Sequence, residues 1–225
     1  MEFVRFLLFT LISSVEYIAL IIFAFTLFRI NPRWYKPQML FVCVSLSYVS
    51  FTMRGDDLAF ITPFIQLAVL IVLLWLMFQI HPGYAALVAV IGYFAYGLLQ
   101  GALLLVLGLF GVHLQAMTLR MYGVALLTSL IMFGVSYMLK RRNRGFSFVP
   151  HSDEVNFGKY SKRDKMLMSV VVVLLILGTG IVFCAYYFTL LLGTWLTFLL
   201  ALCVLFIEVC ILFYYSRKRE EEANN

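Results

Sequence analysis

Residues 140–165 read KRRNRGFSFVPHSDEVNFGKYSKRDK. Eight of the chain's seventeen Lys and Arg residues fall in this one stretch, against three acids, and long apolar runs flank it on both sides. A loop of this kind fixes orientation, because cytoplasmic connections of membrane proteins carry the excess of cations. The remainder of the chain agrees. It is 64% hydrophobic and only 12% charged, with a mean hydropathy of +0.99. Soluble domains are about half apolar and about a quarter charged. No water-soluble fold covers this much apolar surface, so lipid is the solvent. The expected fold is all-α, a polytopic transmembrane bundle of about seven helices.

A bilayer core about 30 Å thick takes roughly 20 apolar residues per helix. Seven stretches qualify, namely Phe6–Phe28, Gln38–Met53, Leu58–Ile80, Tyr84–Phe110, Met117–Leu139, Met166–Phe188 and Thr194–Tyr215. The second is short and rich in Ser. The third has Pro63 in its first turns, where a missing N–H costs least. Residues 1–139 thus hold helices one to five, 140–165 a basic cytoplasmic loop, 166–215 helices six and seven, and 216–225 a charged cytoplasmic tail. With this count, fourteen cations lie on one side and only Arg5, Arg54 and Arg120 on the other. The N-terminus is then outside and the C-terminus cytoplasmic. Omitting the second span would put Arg29, Arg33 and Lys36 on the wrong face, so charge supports a span that hydropathy leaves weak.

Acids inside membrane helices cost several kcal/mol unless paired, solvated or protonated. Glu16 lies near the middle of the first span and Glu208 in the cytoplasmic half of the seventh. One reading is a proton- or ligand-linked switch. The plainer one is a pair of buried carboxyls bonded to Ser, Tyr or Gln of neighbouring helices. Gln66 and Gln100 are the other polar residues well inside spans, where interhelical hydrogen bonding is their ordinary use. Gly97 and Gly101 form a G-x-x-x-G in the fourth span, with Gly108 further on. This strips bulk from one stripe and admits a close neighbour, in the same chain by preference or in a second copy forming a homodimer.

Short outer connections carry Arg54, Asp56 and Asp57 after the second span, and His113 with Arg120 around the start of the fifth. They read as solvated loop charges or, more sharply, as a shallow site for a peptide or small-molecule ligand. In that site Arg54 and Arg120 would meet a carboxylate, and Asp56 or Asp57 an amine. On the other face Lys140, Arg141, Arg142, Arg144, Lys162, Arg163 and Lys165 are expected to lie on anionic headgroups, each adding about 1 kcal/mol. Phe146, Phe148, Phe157 and Tyr160 are expected to dip into the lipid interface.

The net charge of +6 does not signal nucleic acid, because no basic groove with interleaved aromatics exists. Cys43, Cys184, Cys203 and Cys210 all sit in apolar runs and read as small packing residues. No metal-ligand spacing, H-E-x-x-H, G-x-S-x-G or Walker A sequence is present. The sequence therefore reads as non-enzymatic, without cofactor or metal.

The opening phrase FLLFTLISSVEYIALIIFAFTLFRI, some seven spans with little outside, and a last span running into YYSRKREEE carry a likeness. This layout resembles the membrane sensor region of bacterial peptide-sensing histidine kinases of the accessory-gene-regulator type. The resemblance lies in topology and texture over the whole chain. It implies a bacterial plasma-membrane sensor that relays an external or membrane signal to a cytoplasmic or membrane protein partner. Those kinases continue into a dimerisation helix with a phosphorylated His and an ATP-binding domain. The 225 residues here contain neither, so kinase activity does not carry over. A small transporter, or the membrane subunit of an ABC-type exporter, would instead use Glu16 and Glu208 along its pathway. A membrane scaffold would need neither carboxyl.

Overall fold

In lipid every backbone N–H must be met within its own segment, and the apolar runs accordingly fold as helices. The computed structural model describes residues 2–54, 61–110, 118–149, 169–173 and 195–223. Among these residues there are seven α-helices and no strand. They are α1 (Glu2–Leu27), α2 (Lys36–Arg54), α3 (Thr62–Phe78), α4 (Pro82–Leu109), α5 (Leu119–Arg141), α6 (residues 169–173) and α7 (Trp195–Ala223). A 3₁₀ turn, Pro32–Tyr35, leads into α2. The all-α bundle expected from hydropathy is the fold observed. Apart from 169–173, the sixth expected span lies outside the described residues. Four helices (α1, α4, α5 and α7) contain stretches long and apolar enough to cross a membrane. The chain is a membrane protein.

Local chemistry sets the ends. Pro63 and Pro82 occupy the first turns of α3 and α4. His81 caps α4, its Nδ1 accepting from Gly83 N at 3.3 Å. Thr118 caps α5 through Oγ1, which accepts from Met121 N at 3.4 Å. At the other end α1 and α5 finish alike. Ile30 N donates to Phe25 O and Arg29 N to Thr26 O, while Arg144 N donates to Leu139 O and Asn143 N to Lys140 O. These are Schellman closures, and the left-handed residue each requires is Arg29 (φ 52°) in one and Asn143 (φ 49°) in the other.

α1 runs through the middle of the bundle against α2, α4 and α5. Its approach to α4 depends on Gly92, where an added Cβ would lie 2.9 Å from Ala24 Cβ. α5 turns a small, hydroxyl-bearing face inward. Thr128, Ser129 and Ser136 are buried and donate back to the carbonyls of Val124, Ala125 and Met132. Those bonds satisfy the hydroxyls within the helix itself. The C-terminal ends of α1, α3, α5 and α7 gather at one end of the bundle, as ring contacts Phe25–Phe78, Phe28–Phe146 and Phe146–Phe213 require. α2 and α4 run the opposite way. The cation-rich connections around Arg29–Lys36 and Lys140–Arg144 therefore share an end.

An aromatic floor closes that end. After α5 the chain crosses beneath the bundle, Phe146 N donating to Leu27 O at 2.7 Å. Gly145 is obligatory here, because a Cβ would lie 2.8 Å from Leu27 O and 3.1 Å from Thr26 O. Phe146 then stacks among Phe28, Phe148 and Phe213, and Phe148 reaches Tyr84. Phe146 is buried and Phe148 half-buried. Both rings were expected in lipid. They fill protein core instead, because the ends of α1, α4 and α7 leave an apolar gap that the alternating Phe-Ser-Phe segment covers with one face. Phe157 and Tyr160 lie outside the described residues.

Candidate functional site

Two polar arrangements stand out against the oily bundle, one at mid-depth and one at the aromatic floor. At mid-depth, α1 carries Glu16 and α4 carries Tyr96, whose Oη donates to Glu16 Oε1 at 3.0 Å. The Ala125 carbonyl of α5 lies 3.5 Å from the same Oη and also accepts from Ser129 Oγ at 2.9 Å. The node therefore joins three helices through one phenol. Nearby, Ser14 of α1 and Ser47 of α2 hydrogen-bond at 3.2 Å. Between α3 and α4, Tyr93 Oη donates to Gln66 Oε1 at 3.2 Å, while Gln66 Nε2 is buried with no partner among the described residues.

Glu208 differs. It lies on the face of α7 that holds Leu205 and Leu212, is only 4% exposed, and its Oε2 has no hydrogen-bond partner among the described residues. A buried carboxyl oxygen without a donor is costly. Gln100 is half-buried on α4, without a hydrogen bond among the described residues. Beside it, an added Cβ at Gly101 would lie 2.5 Å from Leu202 Cδ2 of α7, so α7 uses that glycine for close packing. Gly97 meets nothing within 4 Å, and Gly108 lies partly exposed near the end of α4.

At the floor, α7 continues as helix through the charged tail. Glu220 reaches the segment that follows α5. Its Oε2 accepts from Ser147 N at 2.7 Å and Phe148 N at 3.2 Å, and its Oε1 from Ser147 Oγ at 2.6 Å. Three donors converge on one carboxylate, and hydrogen bonds to a charged acceptor are the strong ones. The neighbouring Glu221 does something ordinary, an exposed ion pair with Arg217 at 3.1 Å one turn back. Pairs of that kind contribute about 0.3–0.5 kcal/mol. Glu220 is thus a member of the RKREEE run that couples α7 to the segment after α5.

On the opposite end, Arg120 is exposed in the first turn of α5. The side chain of Arg54, and all of Asp56, Asp57 and His113, lie outside the described residues, as do Lys162, Arg163 and Lys165. Lys140, Arg141, Arg142 and Arg144 are exposed around the end of α5. No cluster of three His, Cys, Asp or Glu residues suited to a metal occurs among the described residues.

Sequence reasoning singled out Glu16 and Glu208 but not Tyr96, Ser147 or Glu220. The alternation of Phe146, Ser147 and Phe148 was the available signal for the floor, since a two-residue period in an extended segment puts both rings on one side. No protein-family model, no curated protein and no solved structure matches this chain.

Proposed function

We propose that the chain is a non-enzymatic sensor or regulatory protein of a bacterial plasma membrane, which relays an external or membrane-borne signal to a partner on the side of its basic loop. The observation that carries this reading is the Glu220 clasp. It ties the charged end of α7 to a segment that is itself seated on the ends of α1 and α4. A shift of packing among those helices then changes what the RKREEE stub presents to a partner. The Glu16–Tyr96 node is a suitable place for the signal to enter, because it joins α1 and α4 and sits against α5. Arg54, Asp56, Asp57, His113 and Arg120 remain the proposed outer ligand site, for a peptide or small molecule. The cation count argues for the clasp lying in the cytoplasm.

Spin labels on Arg142 and Lys218, read as a distance distribution in lipid nanodiscs, test the relay. Two α7 positions are expected, with their ratio altered by Glu16→Gln. A single distribution indifferent to that substitution would sink the relay. One observation favours a second reading, transport. The buried carboxyl of Glu208, whose Oε2 has no partner among the described residues, is the group a proton-coupled pathway would use. Proteoliposomes holding a pH-sensitive dye separate the two: transport requires a proton flux abolished by Glu208→Gln, and sensing gives none.

A further inference from the structure

Where α1 and α5 end side by side they flank a half-open cavity of about 440 Å³. Arg29, Asn31, Lys140, Asn143 and Arg144 line it near the helix ends, with Ile22 and Phe133 lining it several residues deeper along the two helices. Among the described residues, no Asp or Glu lines it. Cations commonly collect at helix C-termini to meet the last carbonyls. That explanation is insufficient here, because backbone N–H groups already close both ends. Ile30 N, Arg29 N, Arg144 N and Asn143 N fill the carbonyls of Phe25, Thr26, Leu139 and Lys140, and Phe146 N takes Leu27 O.

The cations are therefore left over. Lys140 and Arg144 have no ion-pair partner among the described residues. Arg29 donates from Nη2 to Asn143 O at 2.9 Å, which anchors the side chain across the cavity while leaving its other donors unassigned. Arg29 also occupies a left-handed backbone position that ordinarily falls to Gly or Asn. A long cationic side chain kept at a strained position is a feature that calls for a use.

We propose that this cavity binds a phosphate group, held by Arg29, Lys140 and Arg144, and that the phosphate belongs to an anionic phospholipid. The cavity volume suits a head group and the first part of its chain. The apolar side chains of Ile22 and Phe133 supply the wall along which the acyl chain runs, and the planar guanidinium groups match phosphate oxygens. This differs from diffuse attraction of the whole basic loop to the bilayer. Arg141 and Arg142 carry the same charge on the same helix end but do not line the cavity. The inference stands whether or not the relay reading holds.

The test uses the full chain purified in a neutral detergent, with dioleoyl phosphatidylglycerol, dioleoyl phosphatidylcholine or inorganic phosphate added. Native mass spectrometry is expected to show one phosphatidylglycerol retained per chain and little phosphatidylcholine. Lys140→Gln/Arg144→Gln should weaken retention at least tenfold. Arg141→Gln/Arg142→Gln, an equal loss of charge, should change it less than twofold. If the first pair prevents folding, Arg29→Asn decides, since Asn favours the left-handed cap and removes the cation together with its hydrogen bond to Asn143 O; it should weaken retention by a similar factor. Inorganic phosphate alone, raising Tm as phosphatidylglycerol does and through the same residues, would uphold the phosphate site and assign it to a soluble ion. Equal effects of the two charge-matched pairs, or no effect of either, would overturn the proposal.

Discussion

Tyr96 helps to make an acid in the middle of α1 tolerable. Its hydroxyl gives Glu16 a donor from another helix, so the acid is held without full exposure. Glu16→Gln keeps an oxygen acceptor at that position. Tm within a few degrees of wild type is expected, with any signalling output altered; an unchanged output removes the node from the mechanism. Tyr96→Phe removes the donor and should cost about 1 kcal/mol by chemical or thermal unfolding in mild detergent. His81 offers a pH-dependent counterpart outside the spans. Burial lowers its pKa from the ordinary 6.5, and its cap to Gly83 requires the neutral ring. The folded state then binds a proton less readily than the unfolded chain. Stability should be constant above that value and fall as pH drops through it. His81→Asn, which can cap without titrating, should flatten the Tm-versus-pH curve between pH 8 and 5. Glu16 was visible in the sequence as an acid in oil. Its partner stands 80 residues away and was not, because nothing in the spacing of one helix states which neighbour it will meet.

Two helix contacts, both made by glycines of α4, should answer substitution differently. At Gly92 the obstacle to a methyl is Ala24 Cβ, which cannot rotate away. Gly92→Ala should destabilise by about 1–3 kcal/mol of overpacking, offset by about 1 kcal/mol of helix propensity. At Gly101 the obstacle is the tip of Leu202, which can change rotamer, so Gly101→Ala should be close to neutral. Gly97→Ala meets open space and should be neutral or stabilising. Unfolding midpoints ranked in any other order would mean that α4 packs differently. A dimer dissociated by Gly97→Ala would show a second copy seated on that stripe. The glycine pattern in the sequence marked a close approach but not which glycine makes it. Gly92 lies outside the motif and packs against α1, whereas a Cβ added at one member of the motif, Gly97, would meet nothing within 4 Å among the described residues. α2 shows the reverse case. It is not among the helices apolar enough to be picked as spans, yet the cation count required it, because charge placement is a property of the whole chain.

For the molecule as a whole, the floor decides whether α7 moves alone or with the bundle. Gly145→Ala drives a methyl against two backbone carbonyls that cannot yield, and Glu220→Gln trades a charged acceptor for a neutral one. Either change should leave the helices inserted. Amide exchange at residues 146–148 should accelerate at least tenfold with Gly145→Ala and by less with Glu220→Gln. Protection unchanged in both would mean that the clasp holds nothing. The seven-helix plan was legible because hydropathy is written locally and the placement of cations can be counted along the whole chain. The clasp was not, because a serine in a basic loop and a glutamate in an acidic run each look solvated until the fold joins them. That junction spans 73 residues, so the carboxylate is made well after the amides it will meet. A nascent chain that has threaded five helices into the bilayer still presents the amides of Ser147 and Phe148 to water. They are sheathed only once α7 has packed in place, so a protease patrolling that side of the membrane meets a cuttable chain before that step and a resistant one after it.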